Sequence, residues 1–126
     1  MLEVKTVLPT ASDPYGFGKE IGRMARLALI ADYLGIPEAR LAAVQILESS
    51  LAPWLTGTNA DALVYDKTWG GLIPTAGWQD QQADYGSGWY SDHHFHYGYL
   101  VYGAAVLARL DAAFYDANKV CASPFF

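Results

Sequence analysis

The chain has 126 residues, room for one modest domain or for part of a larger one. Apolar residues make up 52% and charged residues 17%, which supplies a core and excludes a disordered chain. The formal net charge of -5 argues against nucleic acid or an anionic membrane as the main partner, and a neutral ligand fits it better. A single cysteine, Cys121, excludes an internal disulfide framework and a Cys-x-x-Cys zinc pattern.

Met1 to Pro9 lacks the apolar run of a secretory signal, and no later stretch is long and apolar enough to span a bilayer. Pro9 to Gly18 reads as a loop, with Ser12-Asp13-Pro14 as a turn signal. A helix is expected from about Lys19 to Leu34, its buried stripe formed by Ile21, Met24, Ala25, Ala28, Leu29 and Ala31. Gly35 suits the residue beyond that helix end, and Pro37 suits the first turn of a second helix, expected from Pro37 to Ser50. Leu41, Val44, Leu47 and Leu51 are expected to face inward, and the short link makes the two helices an antiparallel pair. From Pro53 to Ser91 the pattern breaks into short pieces: a brief strand at Leu63-Val64-Tyr65 and turns rich in Gly, Asp, Trp and Tyr. A loop that long inside a compact domain usually has a job. A third helix is expected from His93 or Phe95 to Leu110, carrying Leu100, Val101, Ala104, Ala105, Val106 and Leu107. The expected fold class is all-α, with helical hairpins that need neighbours.

Chemistry concentrates in Asp92-His93-His94-Phe95-His96, which holds every histidine of the chain. Asp92 falls at the N-cap of the third helix, where its carboxylate can accept a backbone N–H and be held charged. Asp92 and His96, four apart, can share a helix face. Two readings stay open: Asp92 as a cap, or as an acid tuned by burial against aromatics and by His96. A metal site on Asp92, His94 and His96 competes, although ligands crowded into one turn do not easily surround an ion. Trp54, Trp69, Trp78, Trp89 and Tyr85, Tyr90, Tyr97, Tyr99 and Tyr102 can be core. Core suits Tyr99 and Tyr102 best. Trp69 and Trp89, set in glycine-rich turns, are what a sugar face wants: a flat apolar platform with hydroxyl partners at its edge.

The runs Val64-Tyr65-Asp66-Lys67-Thr68-Trp69-Gly70-Gly71-Leu72-Ile73 and Tyr90-Ser91-Asp92-His93-His94-Phe95-His96-Tyr97-Gly98-Tyr99 resemble family 81 glycoside hydrolases, the endo-β-1,3-glucanases. Residues 18–31 and 104–111 are similar to helices of that family, and the likeness covers roughly residues 9–119. The resemblance implies part of an (α/α)6 barrel, with the chain as the N-terminal portion of the catalytic domain. It implies inverting hydrolysis of internal β-1,3-glucosidic bonds without a metal or other cofactor, in an extracellular or cell-wall setting. Asp92 matches the family's general acid, and His96 a histidine lining the same site. Tyr65, Asp66, Trp69, Trp89, Tyr90, His93, His94 and Tyr97 are the expected glucan-binding residues, and no obligate protein partner is implied.

The family's general base is a glutamate in a downstream motif; no glutamate follows Glu48 here, and after Lys119 the sequence departs from the family pattern. Truncation is therefore expected, with marginal folding through uncovered helix faces. A non-catalytic glucan-binding fragment is the alternative, and a metal-dependent hydrolase a further one. Purified 126-residue chain is expected to release little reducing sugar from β-1,3-glucan, since general-base help is worth about 10²–10⁴-fold. Robust release would refute the missing base.

Overall fold

The computed structural model describes residues 9–119. Helix α1 spans Pro14–Tyr33 and helix α2 spans Pro37–Thr56. Helix α1 starts at Pro14, inside the segment expected to be loop. The Asp13 carboxylate accepts from the Gly16 N–H at 2.6 Å, and Pro14 fills a first-turn position whose N–H would have no partner anyway. Ser12-Asp13-Pro14 is thus a helix start and not a turn. Gly35, at φ 64°, closes α1: its N–H reaches the Asp32 carbonyl and the Ile36 N–H reaches that of Ala31.

Helix α2 continues past the expected end at Ser50, through Pro53, and stops where Gly57 turns left-handed. Its buried side is Ala43, Val44, Ile46, Leu47, Ser50 and Leu51. Leu41, expected to point inward, is 55% exposed because the inward stripe begins two residues later.

Strands β1 (Leu63–Asp66) and β2 (Gly71–Pro74) form an antiparallel hairpin that pairs Val64 with Ile73 and Asp66 with Gly71. A short helix α3 (Thr75–Gln79), a 3-10 segment (Asp84–Trp89) and helix α4 (His93–Leu110) follow. Helix α5 (Ala112–Asn118) was not expected. Asp111 ends α4 in an extended conformation and restarts the chain, its carboxylate accepting from the Ala113 and Phe114 N–H groups at 2.9 and 3.0 Å.

Helix α1 lies between α2 and α4, and the core gathers along it, with Ile21, Leu47 and Leu107 fully enclosed. Each such side chain stabilises the fold by roughly 1.5–3 kcal/mol. Small residues set the helix spacing. Gly18 and Gly22 lie under Tyr99, and Gly103 lies against the Ile21 side chain. Tyr99 therefore packs as expected, whereas Tyr102, also expected in the core, is 39% exposed. Among the described residues no helix is long and apolar enough to cross a membrane. The all-α expectation holds, with the small hairpin as its only sheet among those residues.

Two glycines of α4 give opposite expectations. A β-carbon at Gly103 falls on Ile21, so Gly103→Val lowers stability by about 1–3 kcal/mol through overpacking. A β-carbon at Gly98 meets nothing within 4 Å, so Gly98→Ala raises stability by about 0.5–1 kcal/mol. Urea unfolding followed by circular dichroism measures both.

Candidate active site

The site is built where the hairpin meets the start of α4. Asp66 ends β1 with its side chain buried. Its Oδ1 accepts from the Thr68 N–H at 2.8 Å, and its carbonyl accepts from the Gly70 N–H at 2.8 Å, which closes the hairpin turn. Its Oδ2 accepts from the Tyr90 hydroxyl at 3.1 Å. Burial raises the Asp66 carboxyl, but the bonds from Thr68 and Tyr90 more than offset it and hold the group below the ordinary carboxylate range. Burial, and then the Asp66 acceptor, raise the Tyr90 phenol, so it remains a donor. A β-carbon at Gly71 would strike the Tyr90 ring, and only glycine lets that ring lie over the strand.

His93 continues the connection. Its Nε2 meets the Leu72 carbonyl on β2; a carbonyl only accepts, so Nε2 carries the proton and Nδ1 is left without a partner. Burial lowers its pKa, which favours this neutral form. The ring stacks on Tyr90 and on Tyr97, with centroids 4.6 Å away in each case. Asp66, Tyr90, His93 and Tyr97 therefore form one continuous wall.

The backbone leading into α4 is strained. Asp84, Tyr85, Tyr90 and Asp92 all take left-handed φ values, between 48° and 59°. Each costs on the order of 1–2 kcal/mol for a residue with a β-carbon, and such residues cluster at functional sites. Asp92 is the N-cap of α4, but at φ 49° its side chain makes no capping bond. Capping needs an extended N-cap, so the expected capping interaction is absent, and the exposed carboxylate makes no hydrogen bond or ion pair among the described residues. The expectation of a buried acid is corrected with it.

His96, one turn on, is 4% exposed. Its ring lies 5.0 Å from Tyr15, 6.4 Å from Tyr85 and 6.1 Å from Phe95, centroid to centroid. Asp92 and His96 share the first turn of α4 through the bond from the His96 N–H to the Asp92 carbonyl. Their side chains differ in fate, one in solvent and one in an aromatic box. His94 goes a third way, into an open groove of about 610 Å³ between α1 and α4, beside Arg23, Arg26, Phe95 and Tyr102. Among the described residues no three His, Cys, Asp or Glu side chains converge to hold an ion, and Asp92, His94 and His96 are splayed apart. Tyr65, Trp69 and Trp89 stand exposed on the surface.

Asp84, Ser87 and Tyr15 were not among the expected site residues. Tyr15 follows a helix start that was read as loop. Asp84 and Ser87 lie in a turn whose left-handed geometry has no signature in an Asp-Tyr pair. Beneath the start of α4, both Asp84 carboxylate oxygens, the Ser87 hydroxyl and the Tyr97 hydroxyl are enclosed without a well-formed hydrogen bond. Burial, then the charge of Asp13, push the Asp84 carboxyl from 3.8 to about 7, with Asp61 adding to it and Ser87 opposing it. Burial also raises the Tyr97 phenol strongly.

The sequence profile described as Glycosyl hydrolase family 81 C-terminal domain matches residues 3–124. A glucan endo-1,3-beta-D-glucosidase of Glycine max is 43% identical over 82% of this chain and 16% of its own length. One of Thermobifida fusca is 40% identical over 86% of this chain and 14% of its own. The primary septum glucan endo-1,3-beta-D-glucosidase of Schizosaccharomyces pombe is 39% identical over 77% of this chain and 10% of its own. The chain thus spans about a sixth or less of the length of these relatives.

The Asp84 carboxyl makes stability depend on pH. Its folded pKa is raised, so the folded state keeps a proton that the unfolded state has already lost between pH 3.8 and about 7. Stability from this group is fully present below pH 3.8 and falls as pH rises to about 7. Partial exposure leaves an effect on the order of 1–2 kcal/mol after solvent screening. Asp84→Asn is expected to flatten that slope, as thermal melts across this pH range would show.

Proposed function

Because the chain belongs to glycoside hydrolase family 81, we propose that it supplies the proton-donating side of an inverting endo-β-1,3-glucanase site, with Asp92 as general acid. The observation that carries this reading is the free carboxylate of Asp92. The left-handed backbone at Asp92 withholds it from the helix end, one residue before His93, whose ring lies against Tyr90 and Tyr97. Bound glucan would cover that carboxyl and bring it within reach of the departing glycosidic oxygen, to which it gives its proton.

Tyr90, His93 and Tyr97 form a rigid backing for the sugar chain, and neutral His93 avoids placing a fixed cation beside the acid. His96, boxed by Tyr15, Tyr85 and Phe95, sets the first turn of α4 from beneath. Asp66, by contrast, is a positioning residue: its oxygens are engaged by Thr68 and Tyr90, and it acts on substrate through the hairpin it closes. Inversion also needs a carboxylate about 6.5–9.5 Å away, across an attacking water. In the family that glutamate lies in a motif these 126 residues do not contain. We take the chain as the N-terminal portion of an (α/α)6 catalytic domain, acting on β-1,3-glucan outside the cell or in its wall.

In any preparation containing this segment that cleaves β-1,3-glucan, Asp92→Asn is expected to lower kcat by about 10²–10⁴-fold. KM should stay within about threefold, because the side chain keeps its shape. Steady-state reducing-sugar kinetics measure both, and undiminished kcat would remove Asp92 from the role of acid.

A further inference from the structure

A second cleft, of about 270 Å³, opens beside the hairpin, away from the exposed groove that holds His94. Its lining includes Trp69, at the hairpin turn, and Trp78, on α3. These indoles are 80% and 59% exposed, and neither stacks on another ring among the described residues. Asp66, Thr68 and Gln81 line the same cleft.

The cleft rests on a fixed frame. The Asp61 carboxylate accepts from the Ala76 N–H at 2.8 Å, and the Ala62 carbonyl accepts from the Thr75 N–H and hydroxyl, which anchors the start of α3. A side chain at Gly88 would strike the Gly77 backbone, so paired glycines let the 3-10 segment close against α3 and carry Trp78 to its place.

We propose that this cleft is a sugar subsite in which one glucosyl unit of a β-glucan lies against Trp69 and Trp78, with its hydroxyls meeting Thr68 and Gln81. The proposal rests on the glucanase reading and extends it to Trp78 and Gln81. Two exposed apolar platforms around polar groups suit a ring with apolar faces and a hydroxyl edge. The volume falls just under the roughly 300–1,000 Å³ of small-molecule pockets, which suits a single unit with the chain running on to either side. An uncharged ligand also avoids repulsion from Asp66, which hydrogen bonds hold ionised.

Isothermal titration calorimetry with a β-1,3-linked glucose oligomer, and a β-1,4-linked oligomer of equal length as control, tests this. The wild-type chain is expected to bind the β-1,3 oligomer, Trp78→Ala to bind about tenfold more weakly, and Trp78→Phe to stay within about threefold of wild type. Trp78 is exposed, so circular dichroism should be unchanged in both variants. If wild type binds and Trp78→Ala binds equally well, the subsite is wrong and the glucan reading stands. Equal losses in the Ala and Phe variants also overturn it, because a stacking ring would rescue a stacking site. If wild type binds neither oligomer, the glucan reading fails and the subsite fails with it.

Discussion

The hydrogen bond from the Tyr90 hydroxyl to the buried Asp66 carboxylate ties the hairpin to the start of α4, and the geometry of the site follows from that tie. A bond to a charged acceptor is worth roughly 1.5–3 kcal/mol. Asp66 also holds its own turn through Thr68, so losing its carboxylate would loosen two elements at once. His93, bonded to the Leu72 carbonyl one strand over, supplies a second attachment between the same two pieces. With both in place, Tyr90 and Asp92 are held in left-handed conformations that neither would adopt alone. The strain is local, and the packing of three long helices supports it.

Helical geometry explains why three clustered histidines have three environments. Successive residues of α4 turn by about 100°, so positions 93, 94 and 96 point in different directions. His93 and Tyr97, four apart, lie on one face and stack against each other. His96, three on from His93, turns into the box of Tyr15, Tyr85 and Phe95. His94 lines the groove that Arg23 and Arg26 of α1 also line. A cluster that looks like one constellation in the sequence becomes a wall, a buried support and a surface group. The same rotation separates His94 from His96, which a metal reading would bring together, and the left-handed turn at Asp92 sets its carboxylate apart from both.

The long apolar stripes of α1 and α4 were legible because burial imposes a period that the residues repeat. Ile21, Met24, Ala25 and Ala28 on α1, and Leu100, Val106 and Leu107 on α4, are buried as expected. Helix ends were less legible where one signal has two meanings. Asp13-Pro14 serves a turn and a helix start equally well, and the helix expected to end at Ser50 continues through Pro53 to Thr56. The stripe of α2 was misplaced at Leu41 for want of a strong period. Asp66, Tyr90, His93 and Tyr97 do gather, but Asp66 is buried only because a hairpin folds over it, and one strand of a sequence does not announce its partner. Asp84 does not stand out from the other aspartates of the loop, because nothing in Ala83-Asp84-Tyr85 signals an enclosed carboxyl.

Three aspartates within this region show how environment divides one chemistry into three uses. Asp66 is buried and receives donors on both oxygens, so it remains a fixed negative acceptor whose function is to hold other groups. Asp84 is enclosed with no well-formed bond to either oxygen and with Asp13 nearby, so it retains its proton up to about pH 7 and cannot serve as a constant charge. Asp92 has neither the donors of the first nor the enclosure of the second. A carboxyl that must exchange a proton with a substrate cannot already be committed to a structural bond, and it must be reachable. By that criterion Asp92 alone of the three is available, and its availability comes from the left-handed turn that keeps it off the helix end.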